Sequence, residues 1–481
     1  MISEVMKMGH PKIYPTGVTM YLPEKCFNGY TLFPAYEHGA TLIDMNGGVV
    51  NHWHNLAGMP NKLLPGGYVM GHRGERDRNY GYQDSIDLVQ VDWDGNVVWA
   101  FDKWDWIEDP DIGPRWVARQ HHDYQREGNP VGYYVPGMEC KTDCGNTLIL
   151  SHQNLVDEKI TPNPIYDDVI LEVDWEGNIV WQWACHEHFD EFEFSEEAKK
   201  AIYNYPAGNH AGAYDWCHVN SMSLVGPNKW YDAGDERFHP DNIIVDGRNT
   251  NNTWIISKET GKIVWQLGPD YSTGKAKEIG WIIGQHHAHV IPKGLPGAGN
   301  ILIYDNGGFG GYGAPNEMSP TGANNVKRDY SRVVEIDPVK MEIVWQCRPM
   351  DLGHEQPFTA DHFYSCYISS AQRLPNGNTL ITEGSGGHLI EITEKFEIVW
   401  EYISPYWGTL RETNMVYRAY RYPYEYVPQV EAPKEVAIAE IDINDYRLPG
   451  AKSKEFRRFT KVAGTMEYAK QDGFCLSTEN D

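Results

Sequence analysis

A short turn, two β-branched residues and a tryptophan recur along the chain, and this repeat constrains the fold most. Five copies are clear: Val97-Val98-Trp99, Ile179-Val180-Trp181, Ile263-Val264-Trp265, Ile343-Val344-Trp345 and Ile398-Val399-Trp400. A divergent first copy, Gly47-Gly48-Val49-Val50-Asn51, precedes them. The chain therefore contains six related units, with irregular spacing that indicates insertions between strands.

Each tag follows an alternating strand that ends in an acidic or polar residue, as in Val334-Glu335-Ile336-Asp337. Further upstream lies another strand after a Gly-Asn turn, as in Gly299-Asn300-Ile301-Leu302-Ile303. Four short strands per unit, repeated six times, predict an all-β fold, a six-bladed β-propeller with long inter-strand insertions. We expect residues 1–405 to form the propeller and residues 406–481 to form a C-terminal extension that packs on it. The tag strand should pack between neighbouring blades, with its tryptophan serving packing and no chemistry.

Charge, hydropathy and cysteine content limit the classes of partner and the cellular compartment that we expect for this protein. The net charge of −26 argues against nucleic acid or an anionic membrane as partner. No stretch reaches the ~18 apolar residues of a membrane span, and residues 1–7 contain no apolar core of a signal peptide. The 8 cysteines include no CxxC pair. We therefore expect a reduced, cytoplasmic protein, with cysteines acting as small core residues; a homo-oligomer is compatible with the sequence.

Strand direction predicts where polar residues meet. Because consecutive strands of a blade run antiparallel, first strands begin where second strands end and third strands begin. Three histidines open first strands: His122, His218 and His286. Ser369 takes the corresponding place in the sixth blade. The same mouth of the channel should also receive His72, Arg73, His152, Asn220, Arg248, His287, Asn306, Arg332 and His388. So many polar groups on one face indicate a functional site.

Four motifs are similar to those of a known family. They are Asp-Trp-Cys-His-Val-Asn-Ser at 215–221, Gln285-His286-His287 followed by Ile303-Tyr304-Asp305-Asn306-Gly307, Tyr330-Ser331-Arg332, and Gly386-Gly387-His388-Leu389. With them, the chain resembles the bacterial arylsulfate sulfotransferase family from about Thr31 to Tyr426. The resemblance implies a six-bladed propeller that moves a sulfuryl group from a phenolic sulfate ester to a phenol, through a histidine intermediate. It implies a small aromatic substrate and no required cofactor.

The resemblance also suggests roles for the residues. His388, after a glycine-rich turn, is the expected nucleophile, and His218, His286 and His122 would hold sulfate or relay protons. Asp123 or Asp305 would orient a ring by accepting from its other nitrogen. The substrate-binding set would comprise the arginines 73, 248 and 332 as sulfate clamps, with Asn306, Asn220, His287, His152 and His72 around them.

Two other classes of function remain open on sequence grounds. Converging imidazoles with a nearby carboxylate are typical of a transition-metal site, and His122, His152, His218 and His286 would be its ligands. The protein would then be a metal-dependent lyase, hydrolase or oxidoreductase acting on an aromatic compound. A third class is a non-catalytic binding scaffold, which would carry its polar clusters on outer loops.

Overall fold

The structure, a computed structural model, describes residues 15–440 except 111, 355–358 and 410–411, together with residues 460, 463 and 464. The chain divides into two compact units, Met1–Glu440 and Ile441–Asp481, and everything below concerns the first. Residues 1–7, searched for a signal peptide, lie outside the described residues, as does most of the expected extension beyond residue 440. The first unit continues past the boundary predicted at residue 405.

Six antiparallel sheets form the predicted six-bladed β-propeller. The first strand is β1 (Gly17–Tyr21). Blades one and two contain β2 (Tyr30–Ala35), β3 (Gly39–Ile43), β4 (Val49–His54), β5 (Ala57–Leu64), β6 (Tyr68–His72), β7 (Leu88–Val91) and β8 (Val97–Phe101). After a hairpin of β9 (Asp105–Asp109) and β10 (Gly113–Val117), blade three contains β11 (Gln120–Arg126), β12 (Thr147–Asp157), β13 (Thr161–Val173) and β14 (Ile179–Ala184).

The second half of the ring follows the same plan. Two short strands, β15 (Asn209–His210) and β16 (Ala213–Asp215), extend blade three. Blade four contains β17 (Val219–Leu224), β18 (Ile243–Gly247), β19 (Asn252–Ile256) and β20 (Ile263–Leu267). Blade five contains β21 (His286–Val290), β22 (Ile301–Asp305), β25 (Arg332–Asp337) and β26 (Glu342–Cys347), with an inserted hairpin of β23 (Phe309–Tyr312) and β24 (Ala323–Lys327). Blade six contains β27 (Ser370–Arg373), β28 (Thr379–Glu383), β29 (His388–Ile392) and β30 (Ile398–Ile403), and β31 (Tyr420–Tyr422) ends the series.

Both ends of the described chain close the ring. β31 pairs with β2 and becomes the innermost strand of blade one. β1 pairs with β30 and becomes a fifth, outer strand of blade six. The segment around β31 lies after residue 405 and carries no tag. The repeat pattern therefore places it in the extension and not in the propeller. The propeller thus contains strand residues from beyond the predicted boundary.

The tag tryptophans join each blade to the next. The indole N–H of Trp99 donates to the carbonyl of Trp175 at 2.9 Å, and that of Trp265 donates to Pro338 at 2.9 Å. Trp400 completes the circle by donating to Met45 at 2.9 Å. The remaining blades make the same contact through Trp53 to Asp92, Trp181 to Lys258 and Trp345 to Glu394. Each acceptor lies in the turn between the third and fourth strands of the following blade, which confirms the predicted packing role of the tag.

Blade strands are buried on both faces because each blade lies between two others. Ile301, Leu302, Ile303 and Tyr304 of β22 are all 0% exposed. This explains why the inner strands are continuous apolar runs in the sequence. Helices are few: α1 (Glu196–Asn204), α2 (Lys229–Asp232), α3 (Gly274–Ile279), and 3-10 turns at Cys185–Phe192, Glu236–Phe238, Pro349–Leu352, Ala360–His362, Gly384–Gly386 and Tyr424–Tyr426. Among the described residues, no helix has the length and hydropathy to cross a membrane.

Candidate functional site

Bulges at the starts of the inner strands turn histidines inward. The register of β11 with β12 slips between Gln120 and Tyr124, and that of β21 with β22 slips between His286 and His289. A third slip, of β17 against β18, lies between Val219 and Ser221. Within or beside these three irregularities, His122, His218 and His287 adopt left-handed φ angles of 50°, 57° and 56°. A non-glycine residue in this region costs about 1 kcal/mol or more, and such strain concentrates at functional sites. The backbone thus places histidines from three blades in one cluster.

His218 lies at the centre of the cluster with a carboxylate behind it. Its Nδ1 hydrogen-bonds Oδ2 of Asp215, three residues earlier in the same motif. Its ring stands edge-on to that of His122, with 4.7 Å between centroids and an angle of 73°. Although burial alone would raise the pKa of Asp215, the His218 imidazole holds it below its usual range. The carboxylate therefore stays ionised and fixes the proton of His218 on Nδ1, which leaves the Nε2 lone pair for chemistry.

His122 is a neutral imidazole. Burial, reinforced by His218 and His152, lowers its pKa well below the usual range. Its Nδ1 lies 2.8 Å from Nδ1 of His121, so one of the two nitrogens donates and the other accepts. The Tyr417 ring lies 5.9 Å from the His122 ring. At neutral pH, His122 can carry a proton on one nitrogen and exchange it with a bound group.

A second group of polar residues lies beside His122. The His121 and His152 rings stack at 3.6 Å, and their Nε2 atoms are 3.4 and 3.8 Å from Oδ1 of Asp168. Nδ1 of His152 donates to Asp84 at 2.7 Å. Burial and the nearby Asp215 carboxylate raise the pKa of Asp168 well above its usual range. This group has the residue types of a metal site.

His286 and His287 are held by hydrogen bonds. Nδ1 of His286 lies 2.8 Å from Oδ1 of Asn306, and its Nε2 accepts the backbone N–H of Ile368 at 3.0 Å. With both nitrogens bonded, His286 positions the blade five and blade six strands and does not act on a ligand through either nitrogen. Nε2 of His287 meets the hydroxyl of Tyr420 at 3.1 Å. Burial lowers the pKa of both histidines well below the usual range, so both are neutral.

A buried arginine closes the inner side of the cluster. Arg418, 0% exposed, donates to Asp123 at 2.8 Å and to the carbonyl of Asn220 at 3.2 Å. Lys62 contacts the other oxygen of Asp123 at 2.6 Å. Asp123 therefore neutralises two cations and does not orient a histidine ring, as it was expected to. The Asn220 side chain donates to the carbonyl of Gln285 at 2.8 Å, joining blades four and five.

Arg248 is the predicted sulfate clamp that the structure places beside the cluster. Its guanidinium donates to Asn249 at 2.9 Å and lies over the Phe309 ring at 4.9 Å. Within the described part of the chain, no carboxylate forms an ion pair with it. It is close enough to His286 to help lower the pKa of that residue. A half-buried arginine with neutral partners retains its charge for an anionic ligand.

The nucleophile expected from the sequence lies apart from this cluster. His388 is bound on both sides by carboxylates, Nδ1 to Glu383 and Nε2 to Glu401, each at 2.7 Å. Burial opposes ionisation, but these hydrogen bonds raise the pKa of His388 to about 9. The ring is therefore a structural cation at neutral pH and has no free lone pair. His388 begins β29, the third strand of blade six, which lies farther from the axis than the first strand. Strand direction predicts the face on which a residue lies but not its distance from the axis.

The remaining arginines are also committed elsewhere. Arg332 donates to Asp305 at 2.7 Å, and Arg328 shares the same carboxylate at 2.8 Å. Asp305 thus pairs with arginines and orients no imidazole. Arg332 lines an open cleft of about 440 Å³ with Trp281 and Tyr330.

Two further predicted residues lie in blade two. The side chain of Arg73 is 54% exposed and pairs with Asp87 at 2.7 Å. His72 is buried and lies 3.4 Å from Glu75.

Sequence reasoning missed several residues of the site. Asp215 carried a signal, because it stands three residues before His218 in a motif already singled out. Asp84 and Asp168 reach the cluster from a loop and from a third strand, where no local pattern distinguishes them. Arg418 lies after the last tag, so the repeat gave no reason to bring it to the axis. Of the four histidines expected to bind metal, only His152 belongs to a described group of metal-type donors within 4.8 Å.

The fold and the central histidines define a β-propeller with a polar site on its axis. The family described as Arylsulfotransferase (ASST) matches residues 139–416. The match covers more than half of the 481 residues, and the chain belongs to this family.

Solved structures resemble the chain weakly. A Bacteroides caccae protein of unknown function is 13% identical with a TM-score of 0.43, covering 82% of this chain and 98% of its own. A catalytically inactive virginiamycin B lyase from Staphylococcus aureus, solved with quinupristin, is 10% identical with a TM-score of 0.32 over 80% of this chain and 87% of its own. AztD from Citrobacter koseri is 9% identical with a TM-score of 0.34 over 82% and 98%. No curated protein matches the chain in sequence.

Proposed function

We propose that the protein transfers a sulfuryl group from an aryl sulfate to a phenol, with His218 as the nucleophile. The observation that carries the proposal is the contact of Asp215 with His218, next to His122 and Arg248, in a member of the arylsulfotransferase family. The nucleophile expected from the sequence, His388, is replaced because two carboxylates occupy its nitrogens.

The first half-reaction breaks the S–O bond of the donor. Nε2 of His218 attacks sulfur, an N–S bond forms, and the electron pair of the broken bond leaves on the phenolate oxygen. Neutral His122 donates a hydrogen bond from its N–H to that oxygen, and the released phenolate takes its proton from solvent. The sulfonated imidazole gains positive charge, which the Asp215 carboxylate stabilises through Nδ1.

The second half-reaction returns the enzyme to its starting state. An acceptor phenol gives its proton to His122, its oxygen attacks sulfur, and the N–S bond breaks with its electron pair returning to Nε2 of His218. His122 then releases the proton to solvent and is neutral again. Arg248 faces the anionic sulfuryl oxygens in both steps, because it has no carboxylate partner among the described ion pairs and lies beside the histidines. Both half-reactions pass through one covalent intermediate, which predicts ping-pong kinetics.

We propose a cytoplasmic protein that acts on a small aromatic substrate without nucleic acid or membrane partners. The net charge of −26 supports the part of this proposal that concerns nucleic acid and anionic membranes, because it disfavours binding to polyanionic surfaces.

Labelling tests the proposal directly. The protein is incubated with a ³⁵S-labelled 4-nitrophenyl sulfate in the absence of acceptor, and nitrophenolate release and protein-bound label are measured. We expect release of one nitrophenolate and retention of one label per chain, with label lost on adding phenol. His218→Ala should retain no label, whereas His388→Gln and the exposed-histidine control His54→Ala should be labelled as in the parent. Labelling of His218→Ala together with loss in His388→Gln would refute the assignment.

A further inference from the structure

We infer that His121, His152 and Asp168 bind one divalent transition-metal ion of the zinc class beside the histidine cluster. The ligand atoms are two imidazole nitrogens and a carboxylate oxygen, all within 4.8 Å of one another. The three side chains are 0 to 2% exposed. The inference is independent of the sulfuryl-transfer proposal, since it rests on other residues.

The spacing of the donor atoms suits a single ion. Oδ1 of Asp168 lies 3.4 Å from Nε2 of His121 and 3.8 Å from Nε2 of His152. Ligands about 2.0–2.2 Å from a tetrahedral ion are about 3.3–3.6 Å apart. Because the His121 and His152 rings stack in nearly parallel planes at 3.6 Å, one ring must also rotate so that both Nε2 lone pairs converge on the ion.

Buried polar atoms of these side chains lack a side-chain hydrogen-bond partner. They are both carboxylate oxygens of Asp168 and Nε2 of His121. An ionised carboxylate at such a buried place requires a positive partner. A divalent cation supplies the missing positive charge and coordinates all these atoms at once.

An outer layer of hydrogen bonds already orients the ligands. Nδ1 of His152 donates to Asp84 at 2.7 Å, which directs Nε2 of His152 toward Asp168. Asp84 is itself fixed by Arg119 and Arg76, each at 2.8 Å. Although burial would raise the pKa of Asp84, these arginines and His152 keep it below its usual range. A carboxylate behind a ligating imidazole is the usual support of zinc sites.

The donor set selects the class of ion. Two imidazoles and one carboxylate favour Zn²⁺ and neighbouring divalent transition ions, whereas Mg²⁺ and Ca²⁺ prefer oxygen ligands throughout. Cys185 and Cys217 lie on another side of Asp168, also within 4.8 Å. We prefer the set of His121, His152 and Asp168 because Asp84 orients the His152 ring through a hydrogen bond. The experiment below treats a site at Cys185 and Cys217 as the alternative.

The ion would also fix a proton in the neighbouring cluster. Metal on Nε2 of His121 leaves the His121 proton on Nδ1, which then donates to Nδ1 of His122 at 2.8 Å. His122 must then carry its own proton on Nε2. That form offers an N–H as hydrogen-bond donor to the leaving phenolate oxygen, and this single consequence rests on the proposed function.

The test uses the full chain with Zn²⁺ and Co²⁺ as probes. Protein freed of metal by chelator is titrated with each ion, and bound metal is measured by elemental analysis and by the visible absorption of Co²⁺. We expect one ion per chain, and at least about 100-fold weaker binding in Asp168→Asn and His152→Gln. His186→Gln is the matched control, because His186 is a neighbouring histidine that pairs with Asp167 and belongs to no described donor group.

The variant Asp168→Asn should still fold. Asp168→Asn keeps the size and polarity of the side chain, so the variant should fold about as stably as the metal-free parent. Absence of Zn²⁺ and Co²⁺ binding by the parent would overturn the inference. Equal binding by parent and Asp168→Asn would do the same, as would loss of binding in Cys217→Ser with His152→Gln unaffected. Loss of metal binding together with intact ³⁵S labelling would leave the sulfuryl-transfer proposal standing.

Discussion

The carboxylate of Asp215 meets Nδ1 of His218 across a single left-handed turn of backbone. The two residues are three apart in sequence, and the φ of 57° at His218 bends the imidazole back toward the acid. The pair therefore forms within one segment at the start of β17. The rest of the cluster, from blades three and five and from the segment before β31, assembles around it.

Replacing Asp215 by asparagine tests the orienting role of this contact. The amide can donate to Nδ1 of His218, which would move the proton to Nε2 and remove the nucleophilic lone pair. We expect kcat for aryl sulfate transfer to fall by about 10² or more with little change in KM. Steady-state kinetics check this, with Asp235→Asn, an aspartate paired with Arg237, as control. Unchanged kcat in Asp215→Asn would remove the orienting role.

Arg248→Met should weaken binding of the donor sulfate. The side chain keeps most of its apolar contact with Phe309 but loses the charge that faces the sulfuryl group. We expect kcat/KM for 4-nitrophenyl sulfate to fall by about 10- to 100-fold, which corresponds to about 1.4 to 2.7 kcal/mol. Arg248→Lys should recover part of the loss. Arg73→Met, which removes an exposed arginine, is the control and should behave as the parent.

Arg418→Met should destabilise the fold. Among the described ion pairs, Asp123 would keep Lys62 as its one cationic partner, and breaking one side of a buried ion group costs about 3 kcal/mol or more. Urea unfolding should show a lower midpoint, whereas loss of the surface pair in Arg73→Met should cost under about 1 kcal/mol. Adding Asp123→Asn to Arg418→Met should lower the stability further, because it leaves buried Lys62 without its carboxylate partner. A double variant as stable as Arg418→Met would argue against this ion group.

The pH dependence of stability should reveal the His388 ion pair. Its pKa is 6.5 in the unfolded chain and about 9 in the fold, so the folded state binds the proton more tightly. The stabilisation is complete below pH 6.5 and is lost as pH rises through about 9. It amounts to at most about 3 kcal/mol. The difference in unfolding free energy between the parent and His388→Gln should therefore shrink over that range, and a difference that grows with pH would contradict the pairing.

The architecture could be predicted because its signal is repeated and local. Five tryptophan tags and one divergent copy repeat the same strand pattern, and together they predict six blades. The axial position of His122 and His218 also followed from strand direction. The chemistry of individual residues did not, since Asp84, Asp168 and Arg418 meet the histidines only through the closed ring. The choice of His388 as nucleophile rested on the glycine turn before it. Such a turn is compatible both with a histidine that reaches the axis and with a histidine in an ion pair between strands.

The closing strand also sets an order of events. Tyr417 and Arg418, on the segment before β31, and Tyr420, the first residue of β31, approach the histidines and are synthesised after all six units. A chain that ends before residue 417 could stack its blades but would lack these groups and the inner edge of blade one. Premature termination or proteolytic trimming of that segment would therefore yield a protein that has the proposed nucleophile, His218, but an incomplete pocket around it. The proposed activity would then require the closed ring.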